Sequence, residues 1–167
     1  QYQATSDLTI VNFFNASASG AGAGFIETVG TLSGNEILST VPNIDDTSPG
    51  GVNIVRGTGN ADILAGSDGK DSILGFAGND TVRGSDGNDT VRGGGGNDSL
   101  EGGDGDDRLL GNAGSDVLFS GSGANNLHGG GGNDSLWGNN NDKLVGAAGR
   151  DTLMATGSNN NLLGGGG

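Results

Sequence analysis

The chain has 167 residues, of which 38 are glycine and only 31% are hydrophobic, so little material is available for a conventional globular core. Its net charge of −13 repels nucleic-acid phosphates and anionic membranes, which makes cations the expected partners and argues against nucleic-acid binding. No cysteine is present and no apolar run reaches membrane-spanning length, so disulfides, thiolate metal sites and membrane insertion are not expected.

Residues 1–47 precede the regular part of the sequence and are expected to form a small β-rich segment. Segments 7–15 (DLTIVNFFN) and 25–32 (FIETVGTL) predict strands, and 16–24 (ASASGAGAG) predicts a flexible connection. Two interpretations stay open for this segment. It is either a cap over the first coil of the same subunit or a donor arm that pairs with a neighbouring subunit.

From Gly57 to Leu163 the sequence repeats twelve times, with a period of nine residues in all but one repeat. Typical units are GSDGNDTVR (84–92) and GGGGNDSLE (93–101). We number the repeats 1–12 and the positions in each 1–9. Position 8 is aliphatic in every repeat, and position 6 is Asp or Asn. The stretch 48–56 is a degenerate earlier repeat, because Asn53 and Val55 fall at positions 6 and 8.

The two halves of the repeat predict a turn and a strand. Positions 1–6 are rich in glycine and acids, which suit a turn, whereas positions 7–9 suit a short strand. Side chains alternate along a strand, so position 8 is expected inside and positions 7 and 9 outside. Position 3 is Asp in repeats 2, 4 and 6 but Ala or Gly in repeats 3, 5 and 7. We therefore predict an all-β parallel β-solenoid over 48–167, with two repeats in each eighteen-residue coil.

Hydrophobic burial alone does not account for the order of such a chain. One buried aliphatic side chain is worth roughly 1.5–3 kcal/mol, whereas ordering nine residues costs about 1–2 kcal/mol each. Ca²⁺ takes six to eight oxygen ligands from carboxylates and carbonyls, which stacked glycine turns can supply. We therefore expect several Ca²⁺ ions, held at position 6 by Asp62, Asp71, Asp80, Asp89, Asp98, Asp107, Asp116, Asp134, Asp142 and Asp151. Further carboxylates at position 3 enrich the even edge, namely Asp68, Asp86 and Asp104.

These residues resemble the repeats-in-toxin (RTX) family, whose consensus is G-G-x-G-x-D-x-U-x. The likeness covers roughly residues 48–167 and is closest over 66–119. It implies a parallel β-roll with calcium bound between repeat i and repeat i+2. It also implies a secreted or cell-surface protein exported by type I secretion, although the C-terminal secretion signal usual in the family is absent after 164–167 (GGGG).

Three departures from the consensus are expected to weaken individual sites. Asn125 and Asn160 replace Asp at position 6, repeat 8 (SGSGANNLH) lacks its leading glycine, and repeat 10 (GNNNDKLV) is one residue short. The shortened repeat is expected to disturb the site at Asp142 in particular.

No catalytic motif is found, and we expect no enzymatic activity in this chain. His128 is the single histidine and falls at the outward position 9, and neither H-E-x-x-H nor G-x-S-x-G occurs. Three function classes remain: a structural module of a filament, surface layer or adhesin; a β-roll appended to a secreted protease, lipase or epimerase; and a polysaccharide- or ice-binding surface. The structural module is favoured because nearly the whole chain is solenoid.

One outward column predicts contact with another molecule. Position 9 of the odd repeats changes from Arg83 and Glu101 to large apolar residues. The predicted interface, expected to mediate self-association, consists of Val117, Phe119, Trp137 and Met154.

Overall fold

The computed structural model describes residues 52–167, which form thirteen parallel strands in two sheets. The described part contains no helix that is long and apolar enough to cross a membrane. The cap or donor arm of residues 1–47, with its strands at 7–15 and 25–32, lies outside the described residues, as do 48–51.

Successive strands alternate between the two sheets, so that each sheet takes every second strand along the chain. The seven-stranded sheet carries positions 7–9 of the even repeats and consists of β1 (Asn53–Arg56), β3 (Asp71–Ala77), β5 (Thr90–Gly95), β7 (Arg108–Ala113), β9 (Asn126–Gly131), β11 (Lys143–Ala148) and β13 (Asn161–Gly166). The six-stranded sheet carries those of the odd repeats and consists of β2 (Ile63–Ala65), β4 (Thr81–Asp86), β6 (Ser99–Asp104), β8 (Val117–Ser122), β10 (Ser135–Gly138) and β12 (Thr152–Ala155).

The register confirms the eighteen-residue coil. Val82 lies beside Leu100 in one sheet, and Ile73 lies beside Val91 in the other, so equivalent positions of repeats i and i+2 are neighbours. Parallel strands need a crossover connection, and here the opposite sheet supplies it at every half turn. The all-β parallel β-solenoid predicted from the repeat is therefore the observed fold.

The core is a single stack of position-8 side chains between the two sheets. These residues are at most 1% exposed in repeats 1–10, and Val55 of the degenerate earlier repeat joins them at 6%. Leu153 is only partly buried and Leu162, in the last strand, is 43% exposed. One aliphatic residue per repeat thus makes up the buried core of each half coil in repeats 1–10.

The strands are longer than the sequence predicted. Most run for six residues, from position 7 through position 3 of the next repeat, so the turn shrinks from six residues to about three. In β4 and β6, for example, Ser85 pairs with Gly103 and Asp86 with Asp104 beyond the predicted strand end. Glycine-rich segments join the sheet because neighbouring coils supply hydrogen-bond partners that local propensity does not register.

Nine of the twelve repeats have glycine at position 4, where the conformation of the turn favours it. Gly105 has φ of +130°, and a Cβ there would overlap the carbonyl oxygen of Gly87 in the preceding coil. Only glycine combines this backbone conformation with so close an approach. In the shortened repeat 10, Asn141 takes a positive φ of 62° instead, since Asn tolerates the left-handed region better than most residues.

Candidate metal centres

The aspartates at position 6 join successive coils through one of their two carboxylate oxygens. The Oδ1 atom of Asp80 accepts a hydrogen bond from the backbone N–H of Asp62, eighteen residues earlier, at 2.9 Å. Asp98 accepts in the same way from Asp80 at 2.8 Å. Each side chain therefore binds the backbone of the preceding coil.

These hydrogen bonds build two ladders, one on each edge of the roll. The odd ladder consists of Asp62, Asp80, Asp98, Asp116, Asp134 and Asp151. The even ladder consists of Asp71, Asp89, Asp107, Asn125, Asp142 and Asn160. All ten aspartates predicted as metal ligands at position 6 thus lie in the ladders, and both asparagines lie in the even one.

The second carboxylate oxygen, Oδ2, has no hydrogen-bond donor in most of the ladder aspartates. Ladder aspartates such as Asp89 and Asp116 are 2% exposed or less, so water does not solvate them. Among the described residues no protein donor reaches the buried Oδ2 atom of Asp80, Asp89, Asp98, Asp107, Asp116, Asp134 and Asp151. A buried carboxylate oxygen without a partner is costly, so a cation is required for each ionised group.

Glycine at position 1 provides the space beside that oxygen. A Cβ added to Gly84 would overlap both the Oδ2 atom of Asp89 and the carbonyl oxygen of Gly102 in the next coil. The same pair of oxygens meets at Gly75, where they belong to Asp80 and Gly93. A carboxylate oxygen and a carbonyl oxygen from adjacent coils therefore converge at a gap that any side chain would fill.

The donor set fits calcium better than other metals. No group of three acidic or histidine side chains converges within residues 52–167, so an all-side-chain metal cluster is not formed there. The converging atoms are instead carboxylate and backbone carbonyl oxygens, which are the ligands of a hard cation such as Ca²⁺.

Comparison with protein families leads to the same ion. A family model described as the RTX calcium-binding nonapeptide repeat, in four copies, matches residues 56–91, 83–118, 110–142, 119–153 and 138–167. The chain belongs to the RTX repeat family. Its repeats form a calcium-binding β-roll module, a type that is typical of secreted proteins. Comparison with curated proteins gives no match.

Two RTX repeats lack both the aspartate at position 6 and the glycine at position 1. Repeats 8 and 12 have Asn125 and Asn160 at position 6, and they alone among the twelve have a residue other than glycine at position 1, Ser120 and Ala155. The Nδ2 atom of Asn160 donates to the carbonyl of Thr156 at 2.8 Å, and that of Asn125 to Ser122 at 3.5 Å. The amide thus keeps the ladder and donates to a local carbonyl, so these two repeats lack the unpartnered carboxylate oxygen found in most of the others.

Three aspartates of the ladders find protein donors for Oδ2. Asp62 accepts from the N–H of Thr58 at 2.5 Å, Asp71 from that of Ser67 at 2.7 Å, and Asp142 from that of Asn139 at 2.6 Å. Asp142 beside the shortened turn also keeps its ladder bond to Asn125 at 2.8 Å. The missing residue therefore leaves Asp142 in the ladder, and its second oxygen accepts from position 2 as those of Asp62 and Asp71 do in full-length repeats.

The predicted ligands at position 3 lie outside the ladders. Asp68, Asp86 and Asp104 are exposed and aligned at the end of the six-stranded sheet, next to the even turns. They act on the ladders through charge, since Asp86 raises the pKa of Asp89 and Asp104 raises that of Asp107. The even edge is thus rich in carboxylate along its first three coils, and poorer where Asn125 and Asn160 follow.

Burial changes the acidity of the ladder carboxyls. It raises the pKa of Asp89 to about 7 and that of Asp116 to about 6, against the lowering effect of the backbone N–H that each accepts. Burial also raises the pKa of Asp80, Asp98, Asp107 and Asp134. Without a cation, the carboxyl of Asp89 is therefore partly protonated near neutral pH, and the others ionise less readily than exposed aspartates do.

Sequence reasoning missed a second set of ladders at position 5. The Oδ1 atom of Asn79 accepts from the N–H of Asn97 at 2.8 Å, and Asn97 accepts in turn from Ser115 at 2.8 Å. On the even edge, Asn88 accepts from Asp106 at 2.9 Å. The consensus leaves this position open, but its frequent Asn was the available signal, because Asn favours side-chain to backbone bonds in turns.

Substitution of glycine at position 1 should separate calcium binding from general tolerance of alanine. In Gly84→Ala the new Cβ overlaps the Asp89 carboxylate, so we expect the calcium concentration at half-folding to rise roughly ten-fold or more. Gly95→Ala is the matched control, since a Cβ at Gly95 meets nothing within 4 Å. Calcium titrations followed by circular dichroism measure both variants. Equal midpoints would show that the gap at position 1 does not serve the ion.

The raised pKa values predict opposite effects of acid with and without calcium. A carboxyl whose pKa is higher in the folded than in the unfolded state stabilises the fold at low pH, and this contribution is lost as the pH rises through about 6–7. In chelator, β-structure should therefore increase as the pH falls from 8 to 4. In calcium buffers, the calcium concentration at half-folding should rise as the pH falls from 8 to 5, because protons compete with calcium for the ladder carboxylates. A midpoint independent of pH would contradict this.

Proposed function

We propose that the chain is a calcium-dependent structural module of a secreted or cell-surface assembly, such as a filament, a surface layer or an adhesin. It folds when Ca²⁺ binds outside the cell and then presents a rigid rod. The observation that carries this proposal is the pair of ladders with buried, unpartnered carboxylate oxygens. The assembly role is supported by one exposed apolar column.

The ladders explain why folding depends on calcium. Ionised carboxylates stacked at coil spacing repel one another and lack solvent, so the roll with empty ladders is disfavoured at neutral pH. A ligand that binds only the folded state stabilises it by RT ln(1 + [L]/Kd) for each site. Extracellular calcium modules typically have Kd near 10⁻⁴–10⁻³ M, well above cytosolic calcium. Such a chain stays unfolded in the cytosol and folds on export.

The assembly role rests on the apolar ladder, which we define as Val117, Phe119, Trp137 and Met154. The rings of Phe119 and Trp137 stack with centroids 4.8 Å apart and planes 15° apart, and Met154 follows Trp137 in register. Phe119 and Met154 are 42% and 56% exposed, and Val117 lies beside them at position 7 of β8. A contiguous exposed apolar surface of this kind favours protein contact. A contact between unlike surfaces of two copies would extend into a filament.

We also propose that the repeats act without catalysis. Their position-6 carboxylates are engaged in ladder bonds to the preceding coil, so they are not presented as a pair around a substrate cleft. His128 lies at an outward position of β9, where its register neighbours are Leu110 and Val145. These placements support a structural role for the aspartates rather than the role of a catalytic carboxylate pair, as in a glycosidase.

Removal of calcium should unfold the roll. Circular dichroism of the chain in excess chelator at neutral pH should lose the β-sheet spectrum, because the buried ladder carboxylates have no other cation. Returning millimolar calcium should restore it, whereas Mg²⁺ at the same concentration should not, since Mg²⁺ demands a small octahedral site and loses water reluctantly. A β spectrum that persists in chelator would refute the calcium-folding proposal.

Assembly should depend on the apolar ladder. Trp137→Ser removes the central ring without touching the carboxylate ladders, so in calcium we expect monomeric, folded protein where the parent chain self-associates. Val145→Ser is the matched control, because Val145 is an outward, half-buried position-9 residue of the other sheet. Sedimentation and electron microscopy give the readout. Unchanged assembly in Trp137→Ser with an intact β spectrum would exclude the apolar ladder as the interface.

A further inference from the structure

Acidic and basic side chains are segregated in the roll. All fourteen aspartates between residues 52 and 167 occupy positions 3, 5 or 6, in the turns or at the strand ends that lead into them. Four of the seven Lys and Arg residues instead lie on the outer face of the seven-stranded sheet, at positions 7 and 9: Arg56, Arg92, Arg108 and Lys143. No acidic side chain lies at position 7 or 9 of the described strands of that sheet.

The charges on this basic face are arranged as a line. The pairing register places the position-9 residues in one column across the strands, in the order Arg56, Leu74, Arg92, Leu110, His128, Val145 and Leu163. Nitrogen-containing and aliphatic side chains thus alternate over the first six strands. Strands lie about 4.8 Å apart, so like groups recur about every 10 Å along the roll axis. Arg108 and Lys143 add two charges in the parallel position-7 column.

The opposite face has a different character. On the six-stranded sheet the position-9 column contains Arg83, whose Nη2 atom lies 3.9 Å from Glu101, so that pair is neutral. No ion pair joins the basic face to an acid within the described residues. The positive charge of the basic face is therefore available to a ligand, in a chain whose net charge is −13.

We propose that the basic face binds an extended anionic polysaccharide that runs along the roll axis, across the strands. Guanidinium groups bind carboxylate or sulfate with paired, directional hydrogen bonds, and Arg supplies three of the four charges. The aliphatic residues between the arginines, Leu74 and Leu110, are half-buried, so their exposed parts can contact the C–H faces of sugar rings. A linear polymer with regular charges matches a linear column with regular charges.

Two other occupants match the face less well. Among the described residues, the exposed aspartates of a second copy sit in or beside the glycine-rich turns, so they offer nothing apolar to Leu74 and Leu110, and its Glu101 is already paired with Arg83. An anionic membrane favours apolar side chains that protrude together, whereas here they alternate with polar ones and are half-buried. The proposal concerns a different face from the apolar ladder and is independent of the assembly role.

Binding should be measured with two polymers that share one backbone. The full chain in millimolar calcium is titrated with carboxymethyl dextran and with unmodified dextran of the same length. We expect the chain to bind carboxymethyl dextran only. Its affinity should fall as salt rises from about 50 to about 500 mM, because salt screens the interaction between exposed charges. Arg92→Gln/Arg108→Gln should lose roughly ten-fold in affinity. Lys70→Gln/Arg150→Gln removes the same charge from exposed turn positions and should bind like the parent chain.

The remaining outcomes decide between this ligand and the alternatives. Equal losses in the two double variants would show attraction by net charge alone and would overturn the basic face as a site. Binding to anionic lipid vesicles but not to carboxymethyl dextran would overturn the polysaccharide in favour of a membrane. Trp137→Ser should retain polymer binding, so a failed assembly experiment leaves this result unaffected. Circular dichroism in calcium verifies that each variant is folded.

Discussion

The architecture depends on how each position-6 carboxylate divides its two oxygens. One oxygen accepts the backbone N–H of the preceding coil and so fixes the stacking of coils. In most repeats the other oxygen is buried with no protein donor and lies beside a glycine and a carbonyl of the next coil. Structural cohesion and the demand for a cation therefore reside in the same side chain. Glycine at position 1 is the condition only for the second role, since repeats 8 and 12 keep the ladder bond with Ser120 and Ala155 at that position.

Much of the fold was predictable because the repeat constrains it at every level. The aliphatic position 8 occurs once per nine residues and has a single place to go, so the core followed directly, as Leu100 and Leu109 show. The eighteen-residue coil followed from the alternation at position 3. Strand length did not, because the glycines that extend β4 and β6 have little strand propensity and pair only when neighbouring coils are present.

The residue types of the candidate site were predictable, but which of its aspartates are buried and which are exposed was not. The ladder aspartates were identified by their period, yet the exposed positions of Asp68, Asp86 and Asp104 depend on where the strand ends, which the pattern placed too early. Net charge likewise does not describe how charge is distributed, since the value of −13 coexists with a basic face on one sheet. In a solenoid, the position of a residue in the repeat decides which face carries its charge, and the net charge does not contain that information.

The adjacent ladders at positions 5 and 6 run in opposite directions along the roll. Position-6 side chains reach back to the preceding coil, and position-5 side chains such as Asn79 accept from the following one. Each coil therefore shows an acceptor beside a donor on one side and the reverse order on the other. The rod consequently has an intrinsic polarity, because its two ends present these donors and acceptors in opposite order.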